Sequence, residues 1–433
     1  MELLESEYAN LYSVSYGAIL RNPMTKILYL HQYFNTPEMS GGTRSYEMAR
    51  RFVTAGHEVH MITSRRDRNA TSKRWETTEE AGIHVHWFPV PYDNTMSNLR
   101  RIIAFFWFVF ASGRKAVEIG GNIVFATSTP LTIALPAVKA KKKLKIPMVF
   151  EVRDLWPELP IAIGAIRNPV IKLVARKLER YAYKHSSSVI ALSPGMADGV
   201  AMTGYPREQI LVIPNSCDTE LFDVGDEPGK AFRARNPWLG ERPLVVYIGT
   251  FGKINGVKYL VDVAKETMSI NSEIRFLLVG SGAEFQMVSE YAAQEEVLEK
   301  NLWIWPAVPK SGVPEILSAA TIATSLFIDL PEMWNNSANK VFDAMASGTP
   351  VAINYEGWQA DLLRTEQAGI VLDVHDHRGA TEQLLSFVQD QHWLNTAARN
   401  AARLAKTQFS REILAKELLG VLECSVRTSR NEP

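Results

Sequence analysis

Cysteine is scarce in this chain: 2 residues in 433, Cys217 and Cys424. They stand far apart and in no metal-ligand spacing, which argues against a disulfide scaffold and fits a reducing cytosol. Net charge is missing too. The 47 Lys and Arg offset 47 Asp and Glu, so no bulk charge draws the chain to nucleic acid. No apolar run reaches the roughly 20 residues of a membrane span; the longest is Ile102–Ala111. No Asp-x-Asp motif of the metal-chelating kind occurs, and neither a metal nor another cofactor is expected. Residues 1–23 carry Glu2, Glu5 and Glu7 and lack a basic segment followed by an apolar core. They are expected to be an N-terminal extension with little part in the fold.

What is present is a long alternation of strand and helix patterns. With 46% hydrophobic and 22% charged residues, the composition is that of an ordinary globular protein. Compact apolar strands are predicted at Ile27–Leu30, Glu58–Thr63, Ile83–Pro89, Ile123–Ala126, Pro147–Glu151, Ser188–Leu192 and Ile210–Pro214. Helical spacing appears at Ser45–Ala55, Thr132–Lys142 and Pro169–His185. A charged, Pro/Gly-containing patch follows from Asp223 to Arg242. The same grammar then restarts with strands at Leu244–Gly249, Arg275–Gly282, Leu302–Trp305, Ala323–Leu326 and Pro350–Asn354, helices at Val257–Thr267 and Lys340–Ala346, and a mostly helical tail from His392. The pattern predicts two doubly wound α/β domains, 24–222 and 223–405, and a helical tail at 406–433. Ligands of such sheets bind outside the carboxyl ends of the strands.

Candidate site residues gather at those ends. Gly41-Gly42-Thr43-Arg44 opens the first helix, where paired glycines allow close backbone approach and a helix start attracts an anion; a tight surface turn is the plainer alternative. Gly249-Thr250-Phe251-Gly252-Lys253 and Gly280-Ser281-Gly282 follow strands of the second domain. Asn335-Asn336-Ser337-Ala338-Asn339-Lys340 leads into a short helix, with Ser337 or Asn339 as its cap. A first-turn lysine opposes the helix dipole, a conflict that a bound diphosphate removes. Asp343, one turn on, is placed to accept from ribose hydroxyls, with a solvated surface pair as the alternative. In the first domain, Arg153-Asp154 and Glu158 follow a strand, and His31 follows the first; a buried ion pair and a structural histidine are their plainer readings. Asp373-Val374-His375-Asp376-His377 is read as a solvated turn.

In order and spacing these stretches resemble a GT-B glycosyltransferase of family 4, in particular bacterial surface-polysaccharide enzymes of the N-acetyl-L-fucosaminyl type. The carriers are Gly41–Arg44, Arg153-Asp154-Leu155-Trp156-Pro157-Glu158, Ile213–Asp218, Tyr247–Gly252, Val279–Gly282 and Ser337–Gly348. The resemblance implies two Rossmann-like domains facing a central cleft, with the last helix crossing back to the first domain. It also implies a retaining, metal-independent transfer of sugar from a nucleotide diphosphate, with UDP resting on the resemblance alone. A lipid-linked or glycan acceptor would bind the first domain, through His31, Arg153 and Asp154. The donor would meet Gly41–Arg44, Gly249–Lys253, Gly280, Asn335–Lys340 and Asp343. Asp154, Glu158, Lys253 and Lys340 are the expected catalytic set. The family often has two glutamates eight positions apart, matched here by Asn335 and Asp343, and an Arg and a Lys matched by Thr250 and Asn255. An epimerase on the same fold and a non-catalytic binding subunit are the rivals. The apolar run with Arg100, Arg101, Arg114 and Lys115 suggests contact of 97–115 with the inner face of the cytoplasmic membrane from a cytoplasmic location.

Overall fold

The computed structural model describes residues 24–39, 41–65, 74–90 and 98–431, with the side chains of 98–105 and 431 excepted. The expected extension at 1–23 lies outside them, and the expected membrane contact is described from Phe106 onward.

The first sheet contains β1 (Lys26–Leu30), β2 (Glu58–Arg65), β3 (Glu76–Glu80), β4 (Ile83–Pro89), β5 (Ile123–Thr127), β6 (Met148–Val152), β7 (Ser188–Ala191) and β8 (Ile210–Val212). Its order is β3-β4-β2-β1-β5-β6-β7-β8, parallel except that β3 runs antiparallel to β4. Its helices are α1 (Arg44–Thr54), α2 (Asn98–Ile119), α3 (Ala134–Leu144), α4 (Glu158–Ala162), α5 (Pro169–Lys184) and α6 (Pro194–Met202). Two short helices, α7 (Thr219–Phe222) and α8 (Glu227–Arg235), lead to the second sheet.

That sheet contains β9 (Leu244–Thr250), β10 (Arg275–Ser281), β11 (Leu302–Pro306), β12 (Ile322–Ser325), β13 (Val351–Ile353) and β14 (Gly369–Val371), all parallel in the order β11-β10-β9-β12-β13-β14. Around it lie α9 (Lys258–Ile270), α10 (Phe285–Gln294), α11 (Val313–Ala319), α12 (Asn339–Ala346), α13 (Trp358–Thr365), α14 (His377–Gln389) and α15 (Gln391–Thr407). In each sheet the chain winds outward in both directions from the first strand. The two switch points, β1/β5 and β9/β12, are where such folds hold ligands.

The central strands are near-continuous apolar runs because both faces are covered; every residue of β5 and β6 is buried. The predicted helical tail divides at 408–410 into α15 and α16 (Arg411–Asn431). α15 packs on α12, whereas α16 packs on α1, β5 and β6. Leu414, Leu418, Leu422 and Val426 of α16 share one core cluster with Ile27, Tyr29, Met48, Phe52, Phe125 and Val149. The final helix therefore completes the first domain from the far end of the sequence. β3 is a further difference from the sequence reading. Its residues, Glu-Thr-Thr-Glu-Glu, carry no apolar period, and the strand forms as a solvated edge on β4.

Candidate active site

The second domain's part of the site is built on β9, β10 and α12. Glycines bring the strand ends together. A Cβ on Gly280 would fall 1.8 Å from the Gly249 carbonyl oxygen, and one on Gly282 would fall 2.3 Å from that of Phe251. A Cβ on Gly249 would come within 2.2 Å of Lys340 Cε. Lys340 thus lies across the end of β9, its ammonium 5.3 Å from the centre of the Tyr247 ring. Burial pushes the Lys340 ammonium down to about 8, against the opposing pull of Asp343. No carboxylate lies within ion-pair distance of it among the described residues. The start of α12 has no side-chain cap, so first-turn N–H groups and an unmatched cation meet at one point, which is the arrangement an anion requires.

Asp343 stands one turn further on. Burial pushes its carboxyl up, while Lys310 and Arg411 pull it down. Lys310 Nζ is 3.9 Å from Oδ2, and buried Oδ1 accepts no hydrogen bond. It is a carboxylate with an acceptor to spare beside the lysine, as ribose binding needs.

The first domain contributes the ends of β1, β5 and β6. Gly41 has φ +127°, and a Cβ there would meet Asn35 Nδ2 at 2.6 Å; a Cβ on Gly42 would stand 3.9 Å from Arg153 Nη2. Arg153 Nη1 lies 3.4 Å from His31 Nε2, and Ser128 Oγ accepts from the Arg153 N–H. Thr129 Oγ1 donates to Asp154 Oδ2 at 3.2 Å. Burial pushes the Asp154 carboxyl up, against Arg153 and the Thr129 hydroxyl. Gly41, Gly42, His31, Arg153 and Asp154 thus share one corner.

The structure corrects several expected roles. Arg44 does not reach the cleft. It is 3% exposed, donates to Glu151 Oε1 through Nε at 3.0 Å, and gives its other nitrogens to the carbonyls of Pro214 and Ile213. Glu158 begins α4 but turns outward to Arg176 at 3.0 Å. The Phe251 ring is fully buried against Tyr247 and Phe285. Lys253 lies exposed in a short 3-10 turn. Thr43 is the N-cap of α1 and makes no side-chain cap hydrogen bond; the cap of α12 is Ala338, whose N–H donates to buried Gln359 Oε1.

Asn335 and Ser337 are drawn into the seam between the domains. A Cβ on Gly195 would fall 1.9 Å from Asn335 Oδ1, and Ser193 Oγ donates to the Asn335 carbonyl at 2.6 Å. Ser337 Oγ accepts from the Asn215 N–H, and its carbonyl from Asn215 Nδ2. The Asn336 carbonyl accepts from Trp358 Nε1, and Asn339 is exposed. Ser193 and Asn215 follow β7 and β8, so strand ends of the first sheet grip the segment that leads into α12. The seam continues at Arg411, 5% exposed, which donates to the Ser216 carbonyl and faces Asp218 at 3.4 Å and Glu47 at 3.7 Å. Sequence reasoning missed Glu151, Gly195, Asn215, Gln359 and Arg411. Glu151, a carboxylate inside an apolar strand, and Asn215, inside the Ile213–Asp218 stretch, carried a visible signal.

Two mainly parallel sheets with strand ends meeting at a seam are the GT-B glycosyltransferase architecture. Family models match in tandem: the glycosyl transferase 4-like domain over residues 41–216 and the glycosyl transferases group 1 domain over residues 230–405. The chain belongs to the GT-B glycosyltransferases of family 4. It is 18% identical over 249 residues to the alpha-D-kanosaminyltransferase of Streptomyces kanamyceticus, covering 57% of this chain and 63% of that protein. It is 22% identical over 240 residues to a lipopolysaccharide core biosynthesis glycosyltransferase of Rhizobium meliloti, covering 55% of this chain and 65% of that one. The matches thus span just under two thirds of these curated relatives. Among solved structures, Anabaena HepE in complex with UDP and glucose superposes with a TM-score of 0.69 at 16% identity, over 92% of this chain and 100% of that one.

Proposed function

We propose that the protein is a retaining glycosyltransferase that moves a sugar from a UDP-sugar to a lipid-linked or glycan acceptor in surface-polysaccharide synthesis. The observation that carries this reading is the uncapped start of α12 with half-buried Lys340 beside it, unmatched by any carboxylate at ion-pair distance among the described residues. The donor diphosphate lies there, and its ribose hydroxyls meet Asp343. As the sugar leaves, negative charge grows on the β-phosphate, where Lys340 and the preorganised N–H groups stabilise it most. Gly41 and Gly42 let the first domain's backbone approach the diphosphate or the sugar when the cleft closes. His31, Arg153 and Asp154 face the acceptor. Asp154, with its raised carboxyl, is the acidic group nearest proton-transfer chemistry, and the leaving phosphate shares that task. UDP-N-acetyl-L-fucosamine is the donor to screen first; the lipopolysaccharide relative supports the surface-glycan reading.

A membrane-surface location belongs to the same proposal. No helix among the described residues is long and apolar enough to cross a membrane. Yet Trp107 and Phe110 of α2 are 65% and 68% exposed, and Val170 of α5 is 66% exposed, with Phe106, Ile171, Leu173 and Val174 exposed beside them. α2 and α5 both pack on α3, whose last turn carries Lys141, Lys142 and Lys143. Apolar rings interleaved with basic residues suit an anionic lipid surface.

Thermal unfolding with UDP, with GDP and with neither tests the donor site. Ligand at 100 times its dissociation constant adds about 2.7 kcal/mol to the native state. Stabilisation by UDP that vanishes in Lys340→Ala is expected. Equal stabilisation of the variant would remove Lys340 from the donor site, and no stabilisation of either chain would overturn the nucleotide reading.

A further inference from the structure

A second cluster of ligating side chains lies at the far end of the first sheet from the cleft. Glu58 and His60 stand two apart on β2, His84 and His86 two apart on β4, and His60 pairs in register with His84. All four therefore project from one face, the face that α2 covers. They sit near the beginnings of their strands, whereas the cleft is built on strand ends. Glu58 Oε1 is 2.6 Å from His60 Nε2. His60 Nδ1 is 2.9 Å from His86 Nε2, and His86 Nδ1 is 3.0 Å from Thr77 Oγ1. The His60 and His84 rings stack with centroids 4.9 Å apart. One ligand atom each from Glu58, His60 and His84 lie within 4.8 Å of one another.

We propose that Glu58, His60 and His84 form a binding site for Zn²⁺, with water completing the coordination and His86 holding His60 from behind. Two imidazole nitrogens and one carboxylate oxygen are a zinc donor set, whereas magnesium and calcium require oxygen throughout. The chain of contacts behind His60 is what a ligating histidine needs. When the ion takes the lone pair of His60 Nε2, the ring proton sits on Nδ1 and is donated to His86 Nε2. His86 then donates from Nδ1 to Thr77 Oγ1, which fixes the tautomer and orientation of His60. As the metal–nitrogen bond forms, the ring proton between His60 and Glu58 is exchanged through solvent for the one on Nδ1, so His60 stays neutral. Lys26 competes with the ion: its Nζ lies 3.2 Å from Glu58 Oε1. Lys26 is partly exposed, so its ammonium has water to move into. Glu79 of β3 pairs in register with His84 on this same face, and Lys115 and Glu118 of α2 pair with each other at 2.7 Å.

The test uses the full chain, stripped with a chelator and titrated with Zn²⁺ against a chromophoric competitor, with Co²⁺ absorption as a spectroscopic readout. One equivalent per chain is expected in the wild type. His84→Gln, in a half-buried position, weakens binding by at least about tenfold, and the Co²⁺ spectrum changes with it. Lys26→Met removes the competing cation and keeps every ligand, so it strengthens binding several-fold. Absence of stoichiometric binding overturns the proposal, and so does equal affinity in wild type and His84→Gln, which would place the ion elsewhere, as at His375 and His377. Should His84→Gln fail to fold, Lys26→Met decides alone: tighter binding supports the site and unchanged binding overturns it.

Discussion

In the proposed donor site the decisive residue is one half-buried lysine, Lys340. Its ammonium lies near 8 because burial disfavours the charge. A neighbouring diphosphate favours that charge, so binding above this value must take up a proton. The affinity for UDP is therefore expected to be highest below about pH 7 and to fall by up to about tenfold per unit as the pH rises through 8. Calorimetric titrations across pH check this, with Lys340→Ala supplying the baseline set by UDP's own titration; parallel profiles would refute the assignment. Gly249→Ala tests the same contact from the other side. A Cβ at 2.2 Å from Lys340 Cε must push the lysine away. UDP affinity should drop at least about tenfold for a stability loss of about 1–3 kcal/mol. Arg44 behaves in the opposite manner. Arg44→Met strands the Glu151 carboxylate, which burial alone would push up and which Arg44, Arg153 and the Thr127 hydroxyl hold below the usual carboxylate range. A depressed carboxylate contributes stability above its unfolded pKa and loses it on acidification. The variant should lose about 3–5 kcal/mol near neutral pH, measured by denaturant unfolding, with UDP affinity unchanged in the folded fraction.

At the scale of elements, the strands were the most legible part. β1, β5 and β6 are short apolar runs because helices cover both faces, and such runs are visible in sequence. The start of α12 was legible for the same kind of reason: a lysine in a first turn is a local conflict. What could not be read was pairing across distance. Arg44 and Glu151 are 107 residues apart, and nothing in the periodicity of either segment points to the other. Asn335 and Ser337 looked like donor contacts because they precede a helix in a glycosyltransferase-like motif. Their partners, Gly195 and Asn215, lie on another domain, and no local signal marks a residue that a second domain will claim. The junction of α15 and α16 hid for a different reason, since helical spacing resumes within three residues. Arg411 opens α16 between Glu47 and Asp218. Arg411→Ala leaves two carboxylates without their shared cation and should cost about 3–5 kcal/mol, read as an earlier transition in denaturant unfolding.

For the whole molecule, exposed aromatics on α2 and aliphatics on α5 give the first domain an apolar surface, on which the proposed membrane contact rests. Burying one such ring contributes about 1.5–3 kcal/mol. Trp107→Ser with Phe110→Ser should cut co-sedimentation with anionic vesicles at least about tenfold and leave UDP binding intact. High salt should release the wild type partly; equal sedimentation of the double variant would end the membrane reading.

The return of α16 to the first sheet also bears on how the protein is made. Ile27, Tyr29, Phe125 and Val149 find part of their cover in Leu414, Leu418 and Leu422. A ribosome delivers those leucines after the entire second domain. Until then, the first domain presents an open apolar face throughout synthesis of the second, which is when chaperones and neighbouring chains compete for such surfaces. The domain begun first is thus among the last to be finished.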